Sequence, residues 1–152
     1  MLLGTCLRAS LVSLVLASAA AAQSDTPAQA AIRAALTQWM ADFNAGRAEK
    51  VCDLFAPDLV AQYRGQPERG WDALCDLLKR SLAHRDKSYS YALAIREILV
   101  EGDLAVVRLT WTLKVRGKDA AETTSVEPGI DIFRRQADGS WKISRYIGYE
   151  SP

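Results

Sequence analysis

One acidic residue stands inside a stretch that otherwise predicts a buried strand. Asp131 lies between Ile130 and Ile132 in the segment GIDIFRRQADGSWKI. A carboxylate buried in such a strand must be paired or protonated, because an isolated buried charge is very costly. A residue of this kind can orient a ligand through a hydrogen bond or exchange a proton with it. Asp131 is therefore the first candidate for chemistry in this sequence.

The turn after this strand predicts what Asp131 faces. The residues ADG at 137–139 are typical of a three-residue hairpin loop with glycine in the left-handed conformation. That loop sets Asp131 opposite Arg145 across the hairpin, on the drier and concave face of the sheet. The two residues would form either a structural ion pair or the polar anchor of a ligand pocket. A two-residue loop would instead set Asp131 opposite Tyr146.

Aromatic residues could supply the apolar walls of such a pocket. Most aromatic residues of the chain are expected in the core, whereas Trp39, Tyr63 and Trp111 are predicted to line a pocket together with Asp131 and Arg145. Ligand pockets are mostly apolar and contain a few polar groups that orient a small molecule. The predicted partner is therefore a small-molecule ligand.

The residues for other common chemistries are missing from the sequence. His84 is the only histidine, and its place near a helix end beside Lys79 and Arg85 indicates a surface residue. A zinc site needs a cluster of cysteines and histidines, and no glycine-rich phosphate loop follows a strand. We therefore expect neither a metal nor a cofactor.

The first residues have the pattern of a secretory signal peptide. A leader with one positive charge is followed by an apolar run at 11–16 and by small residues that end in AAA. The alternative is a membrane anchor, but the run is shorter than the ~20 residues that a spanning helix needs. We expect cleavage after Ala22, which gives a signal peptide at 1–22, one domain at 23–152 and an exported protein, periplasmic or secreted.

Cleavage also changes the counts of charges and cysteines. It removes Arg8, which leaves equal numbers of basic and acidic residues. A neutral chain without blocks of like charge is not expected to bind nucleic acid or a membrane surface. It removes Cys6 as well, so Cys52 and Cys75 remain as an even pair that is expected to form a disulfide in an oxidising compartment. The alternative is two buried thiols in the core.

Two kinds of hydrophobic pattern divide the remaining chain. Apolar residues at three- and four-residue steps predict three helices, at 27–46, 47–55 and 71–82. A short strand is predicted at 59–63, between the second and third helices. Alternating residues then predict four antiparallel strands, around 89–95, 107–115, 122–135 and 141–149. Helices followed by such a sheet make an α+β order.

Two phrases in this order resemble the NTF2-like superfamily, in its SnoaL-like and ketosteroid isomerase-like branch. WMADFNAGRAEKVCDLFAPDLV resembles the opening helices of the family, and DIFRRQADGSWKI resembles its closing hairpin. The resemblance implies three helices packed on a curved antiparallel sheet, which forms a cone-shaped, partly closed barrel around a pocket. It also implies that the chain could be a homodimer. It does not imply one activity, because this fold hosts isomerases, cyclases, dehydratases, carriers and adaptors.

The resemblance can be carried to three catalytic positions of the ketosteroid isomerases. In those enzymes a protonated aspartic acid of the closing hairpin donates to the enolate oxygen, and Asp131 matches it. Their oxyanion-hole tyrosine corresponds to Trp39, whose N–H is not an acid of similar strength. Their base aspartate corresponds to Tyr63, which is a poor base at neutral pH. Only one of three positions is kept, so this mechanism is not expected, and whether the chain is an enzyme stays open.

The residues leave three functions open. The first is binding of a small hydrophobic or carboxylate-bearing molecule, with Arg145 meeting a carboxylate. The second is an enzyme of isomerase, cyclase or dehydratase type that uses Asp131 on a polyketide-like or steroid-like substrate. The third is a non-catalytic association domain. Ile130, Ile132 and Tyr146 are expected on the outer face of the sheet, where they could pack against a second subunit.

Overall fold

The computed structural model describes residues 24–151, and the predicted signal peptide lies outside them. This part of the chain forms two helices and five strands. The elements are α1 (Pro27–Asn44), β1 (Phe55–Tyr63), α2 (Trp71–Ala83), β2 (Lys87–Glu101), β3 (Leu104–Gly117), β4 (Thr123–Arg135) and β5 (Trp141–Gly148). The strand order is β1-β5-β4-β3-β2, in which β1 runs parallel to β5 and all other neighbours are antiparallel. The predicted α+β fold is confirmed.

The sheet is open, and its inner face carries the core. β1 and β2 are the two edges and do not pair with each other, so the curved sheet does not close fully, in agreement with the partly closed barrel that was expected. β2 and β5 each contain a register shift, and such bulges bend a sheet. The buried residues Leu109 and Phe133 of the sheet belong to one hydrophobic cluster with Ile32 and Leu36 of α1. The curved sheet therefore wraps around an apolar interior that α1 covers.

Three residues of the sequence determine where α1 starts. The Thr26 hydroxyl accepts a hydrogen bond from the Gln29 N–H, and the Gln29 side chain accepts one from the Thr26 N–H, which completes a capping box. Pro27 occupies the first turn, where its missing N–H has no helical partner to lose. The predicted helix start is correct for these reasons.

Two polar side chains of α1 form hydrogen bonds with the backbone of β2 at its outer edge. Asn44 exchanges hydrogen bonds of 2.7 and 2.8 Å with the backbone of Tyr91. Gln29 Nε2 donates to the carbonyl oxygen of Ile98 at 2.9 Å. These contacts occupy backbone groups that an uncovered edge strand would offer to another chain. They also hold Trp39, on the buried face of α1, against the sheet.

The predicted second helix at 47–55 is wrong. This segment is a series of turns, in which an N–H donates to the carbonyl three residues earlier, as from Lys50 to Arg47. The segment is too short to offset the cost of starting a helix, and β1 already begins at Phe55. Pro57 lies inside β1, which is tolerated because this strand is an edge of the sheet.

A disulfide joins these turns to α2. Cys52 and Cys75 are bonded, as expected, and their Cα atoms are 5.6 Å apart, which is within the usual range. In residues 24–151, none of the helices combines the length and the apolar character that crossing a bilayer requires.

Candidate functional site

The hairpin between β4 and β5 has the turn that the sequence predicts. The N–H of Gln136 donates to the Ser140 carbonyl oxygen at 2.7 Å, which closes a three-residue loop. Gly139 supplies the left-handed conformation, with φ of 83°. Phe133 pairs with Ile143, as this loop requires. The register is therefore correct for the first residues after the turn.

A β-bulge then changes the register. β5 contains one extra residue at Ser144, so Ile132 pairs with Arg145 and Asp131 pairs with Tyr146. The prediction that Asp131 faces Arg145 is wrong for this reason. An inserted residue sends every later side chain of that strand to the opposite face of the sheet.

Arg145 consequently points away from the interior. Its Nη1 donates to the carbonyl oxygens of Asp58, at 2.9 Å, and Ser144, at 2.6 Å. The same nitrogen lies 3.9 Å from the Asp58 carboxylate. The guanidinium is thus held at the solvent side of β5 and does not reach Asp131.

Tyr146 takes the interior position that Arg145 was predicted to hold. Its ring lies over the paired glycines Gly129 and Gly148, where a Cβ on Gly148 would collide with the Tyr146 hydroxyl. The outer-face patch predicted from Ile130, Ile132 and Tyr146 therefore loses its tyrosine. It gains Ile147, which pairs with Ile130 and is 55% exposed.

A partly open space, called here the inner cavity, lies between α1, α2 and the sheet. Its volume is about 90 Å³. Most of its wall is aromatic and aliphatic, with rings from Trp39, Phe55, Tyr91, Trp111 and Tyr146. The predicted site residues Asp131, Trp39 and Trp111 meet in this cavity. The Trp39 N–H is not available to a ligand in this arrangement, because it donates to the Val51 carbonyl at 2.8 Å.

Asp131 is the most deeply buried polar group of the inner cavity. The residue is 1% exposed, and its Oδ1 has no hydrogen-bond partner within residues 24–151. Burial raises the pKa of Asp131 to about 8, since the ionised form would lose its hydration without gaining a positive partner. The carboxyl is therefore mostly protonated at neutral pH, and it can donate a hydrogen bond to an acceptor in the cavity.

A larger opening, called here the vestibule, adjoins the inner cavity. It has a volume of about 370 Å³ and shares Tyr91, Glu127 and Tyr146 with the inner cavity. Tyr63 lines the vestibule but not the inner cavity. Burial raises the pKa of Tyr63 to about 12, so its deprotonated, basic form is even scarcer at neutral pH than that of a free tyrosine.

Glu127 is a site residue that the sequence reasoning missed. It is 9% exposed and accepts a hydrogen bond of 2.9 Å from the Ser125 hydroxyl. Burial raises the pKa of this carboxyl, and the bond from Ser125 opposes that rise. Strand periodicity could have found it, because residues separated by four positions in a strand share a face with each other. Residues 24–151 contain no cluster of side chains suited to hold a metal ion.

Comparisons with known proteins agree with this architecture. The family model described as "SnoaL-like domain" matches residues 36–146. No curated protein sequence matches the chain. Several hundred solved chains match in structure.

Three of these crystal structures illustrate the similarity. A ketosteroid isomerase-like protein from Erwinia carotovora atroseptica is 25% identical, with 81% of this chain and 96% of that chain covered and a TM-score of 0.67. A candidate dehydratase of the NTF2-like family from Streptomyces avermitilis is 18% identical, with 80% and 95% covered and a TM-score of 0.68. An NTF2-like protein with a cystatin-like fold from Novosphingobium aromaticivorans is 21% identical, with 80% of each chain covered and a TM-score of 0.65.

Proposed function

Because the chain belongs to the SnoaL-like domain family, we propose that it binds a small, mainly apolar molecule through a carbonyl oxygen. The ligand occupies the inner cavity and the vestibule, and its oxygen accepts a hydrogen bond from protonated Asp131. One observation carries this proposal. Asp131 is almost fully buried, lines the inner cavity and leaves one oxygen without a hydrogen-bond partner among the residues that the structure describes. A buried polar group without a partner costs free energy, and a ligand that supplies the partner recovers it.

The shape of the site favours a neutral ligand over a carboxylate. Arg145, the residue expected to meet a carboxylate, is bonded to backbone oxygens outside the cavity. Aromatic walls bury apolar ligand surface, and the vestibule has the volume of a small-ligand site, which is commonly about 300 Å³ or more. A neutral carboxyl at the inner end suits an oxygen acceptor.

A matched pair of probes tests this proposal. Acetophenone and α-methylstyrene have nearly the same shape, but only acetophenone has an oxygen that accepts a hydrogen bond. We expect the wild type to bind acetophenone about tenfold more tightly in an NMR titration, and Asp131→Leu to lose this preference. The preference should also weaken above about pH 8, where Asp131 ionises. Equal affinities for both probes in the wild type would reject the proposal.

Acid–base catalysis on the same ligand is the second candidate function. The observation that favours it is the burial of Asp131 in the inner cavity, which raises the pKa of this carboxyl to about 8, near the range where proton exchange is most effective. Catalysis of the isomerase, cyclase or dehydratase type would begin with enolisation, in which Asp131 protonates the carbonyl oxygen while a water molecule takes the proton from the α-carbon. Exchange of the acetophenone methyl protons in D₂O, followed by NMR, measures this activity. Catalysed exchange that Asp131→Asn abolishes would support the enzyme, and exchange at the solvent rate would reject it for this probe.

We place this function outside the cytoplasm. The disulfide between Cys52 and Cys75 supports export, because such bonds persist in oxidising compartments. Mass spectrometry of protein recovered from cell fractions should show a mature chain that begins at Gln23. A full-length chain with free thiols in the cytoplasmic fraction would contradict export.

A homodimer through the outer face of the sheet is part of the same proposal. Ile130 and Ile147 form an exposed cross-strand pair there, and Tyr149 is also exposed. Ile147→Lys should then produce a folded monomer in sedimentation experiments, with Lys142→Ala as the control. A wild type that remains monomeric at high concentration would reject the dimer.

A further inference from the structure

Glu127 stands where the inner cavity and the vestibule meet. It lines both spaces, whereas Asp131 lines only the inner cavity. The two residues lie four positions apart on β4 with their side chains on one face, so their Cα atoms are separated by about 13 Å. The site therefore has two carboxyl groups, one at its inner end and one near its mouth.

The surroundings of Glu127 leave part of its carboxyl available. Ser125 donates to Oε1, and no lysine or arginine forms an ion pair with Glu127 in the described part of the chain. Arg69 lines the same vestibule without pairing with it. Burial is the main reason that the pKa values of Tyr63, Tyr91 and Tyr146 are raised, and charge repulsion from Glu127 raises them further. One hydrogen bond is few for a carboxyl with two acceptor oxygens.

We propose that Glu127 is a specificity-determining residue that accepts a hydrogen bond from a hydroxyl group at the vestibule end of the ligand. This inference rests on the proposed function, in which Asp131 binds a carbonyl oxygen at the other end. It narrows the ligand to a carbonyl compound with a hydroxyl far from the carbonyl, as in a hydroxyaryl ketone. A Glu side chain keeps an acceptor oxygen in either protonation state, so this selection does not depend on its charge.

Two para-substituted ketones test the role of Glu127. 4-Hydroxyacetophenone can donate a hydrogen bond at its far end, and 4-methoxyacetophenone cannot. We expect the wild type to bind the hydroxy compound about tenfold more tightly in an NMR titration. Glu127→Met, which keeps the side-chain length and removes the acceptor, should abolish this preference. Glu101→Met changes an exposed glutamate elsewhere and should preserve it.

Failure of this inference can be distinguished from failure of the proposed function. If acetophenone binding depends on Asp131 while Glu127→Met keeps the hydroxyl preference, only the role of Glu127 is wrong. If acetophenone binds the wild type but neither substituted ketone does, the proposed role of Glu127 is also wrong. If Glu127→Met does not fold, the ¹³C chemical shift of the Glu127 carboxyl in wild type tests whether this residue contacts the hydroxyl of the ligand. That shift should respond to the hydroxy compound far more than to the methoxy compound, and equal responses would overturn the inference.

Discussion

Two buried aspartates in this molecule have opposite surroundings. Asp42, near the end of α1, is 8% exposed, and its Oδ1 accepts hydrogen bonds from Gln38 at 2.9 Å and Arg47 at 2.6 Å. Asp131, on β4, is buried more completely and receives none on its Oδ1. The partners of Asp42 lie within five residues of it in the sequence. Within residues 24–151, no such partner lies beside Oδ1 of Asp131.

This difference separates a structural carboxylate from a functional one. Asp42 ties the turn after α1 to the helix, and its burial is offset by a positive charge and hydrogen bonds. The burial of Asp131 is not offset, which a fold tolerates only at a cost to its stability. Uncompensated burial of this kind is typical of sites that a ligand or a reaction completes.

The largest expected effect concerns the pH dependence at Asp131. Its pKa is about 8 in the folded chain and 3.8 in an unfolded one, so the folded state binds more protons between these values. The free energy of unfolding therefore falls as the pH rises from about 4 to about 8, by at most about 6 kcal/mol from this group. Asp131→Asn removes this loss, so the variant should gain stability relative to wild type over that window. Urea unfolding at a series of pH values measures it.

This interpretation would be contradicted if the difference in the free energy of unfolding between Asp131→Asn and wild type did not change with pH. If the free energies of unfolding of Asp131→Asn and wild type stay parallel over the window, Asp131 is ionised in the fold and has an unseen partner. Asp131 would then be an ionised, paired carboxylate like Asp42.

A smaller and opposite effect is expected at Asp42. Asp42→Asn removes the charge that Arg47 and Gln38 share, and Arg47 is nearly half exposed, so water can replace part of the interaction. The expected loss is about 1 kcal/mol in the free energy of unfolding. The same urea experiment should show this loss at both neutral and mildly alkaline pH. A variant as stable as wild type would mean that Asp42 is as dispensable to the fold as a surface residue.

The smallest effect concerns Glu127, whose buried carboxyl accepts one hydrogen bond and is thus intermediate between Asp42 and Asp131. Ser125→Ala removes its hydrogen bond, so the pKa of Glu127 should rise further because only burial and the nearby Glu150 then act on it. A raised pKa in the fold lowers stability as the pH increases through the titration of the group, here by less than about 1 kcal/mol. A ¹³C NMR titration of the Glu127 carboxyl measures the shift directly. An unchanged pKa would show that the bond from Ser125 is absent in solution.

The fold was largely predictable because its signals are local. The capping residues before Pro27, the loop with Gly139 and the alternating strands each specify their own geometry. The segment 47–55 misled because its apolar spacing fits a helix, while its length and the start of β1 do not permit one. Edge pairing of β1 with β5 depends on contacts distant in sequence.

The site was only partly predictable for a related reason. Asp131 is conspicuous in its strand, and its presence in the interior follows from alternation with Phe133. The cross-strand partner of Asp131 depended on the bulge, and nothing in the local sequence ISRY at 143–146 marks Ser144 as the extra residue. Ile143 and Ser144 are two successive buried residues, which marks the bulge, but their burial is visible only in the structure. Glu127 could have been found by extending the same alternation from Asp131.

The extra residue at Ser144 also bears on how this protein could change in evolution. Deletion of that single codon would remove the bulge and restore simple alternation along β5, while Arg145 would still pair with Ile132 and Tyr146 with Asp131. The cavity would keep both its carboxyl and its tyrosine, and the strand would lose a local bend. A change of pairing that made Ser144 the partner of Ile132 would instead bring Arg145 opposite Asp131 and place a positive charge in the cavity. Substitutions that decide whether Ser144 is paired or bulged could therefore change the chemistry of the site without altering its walls.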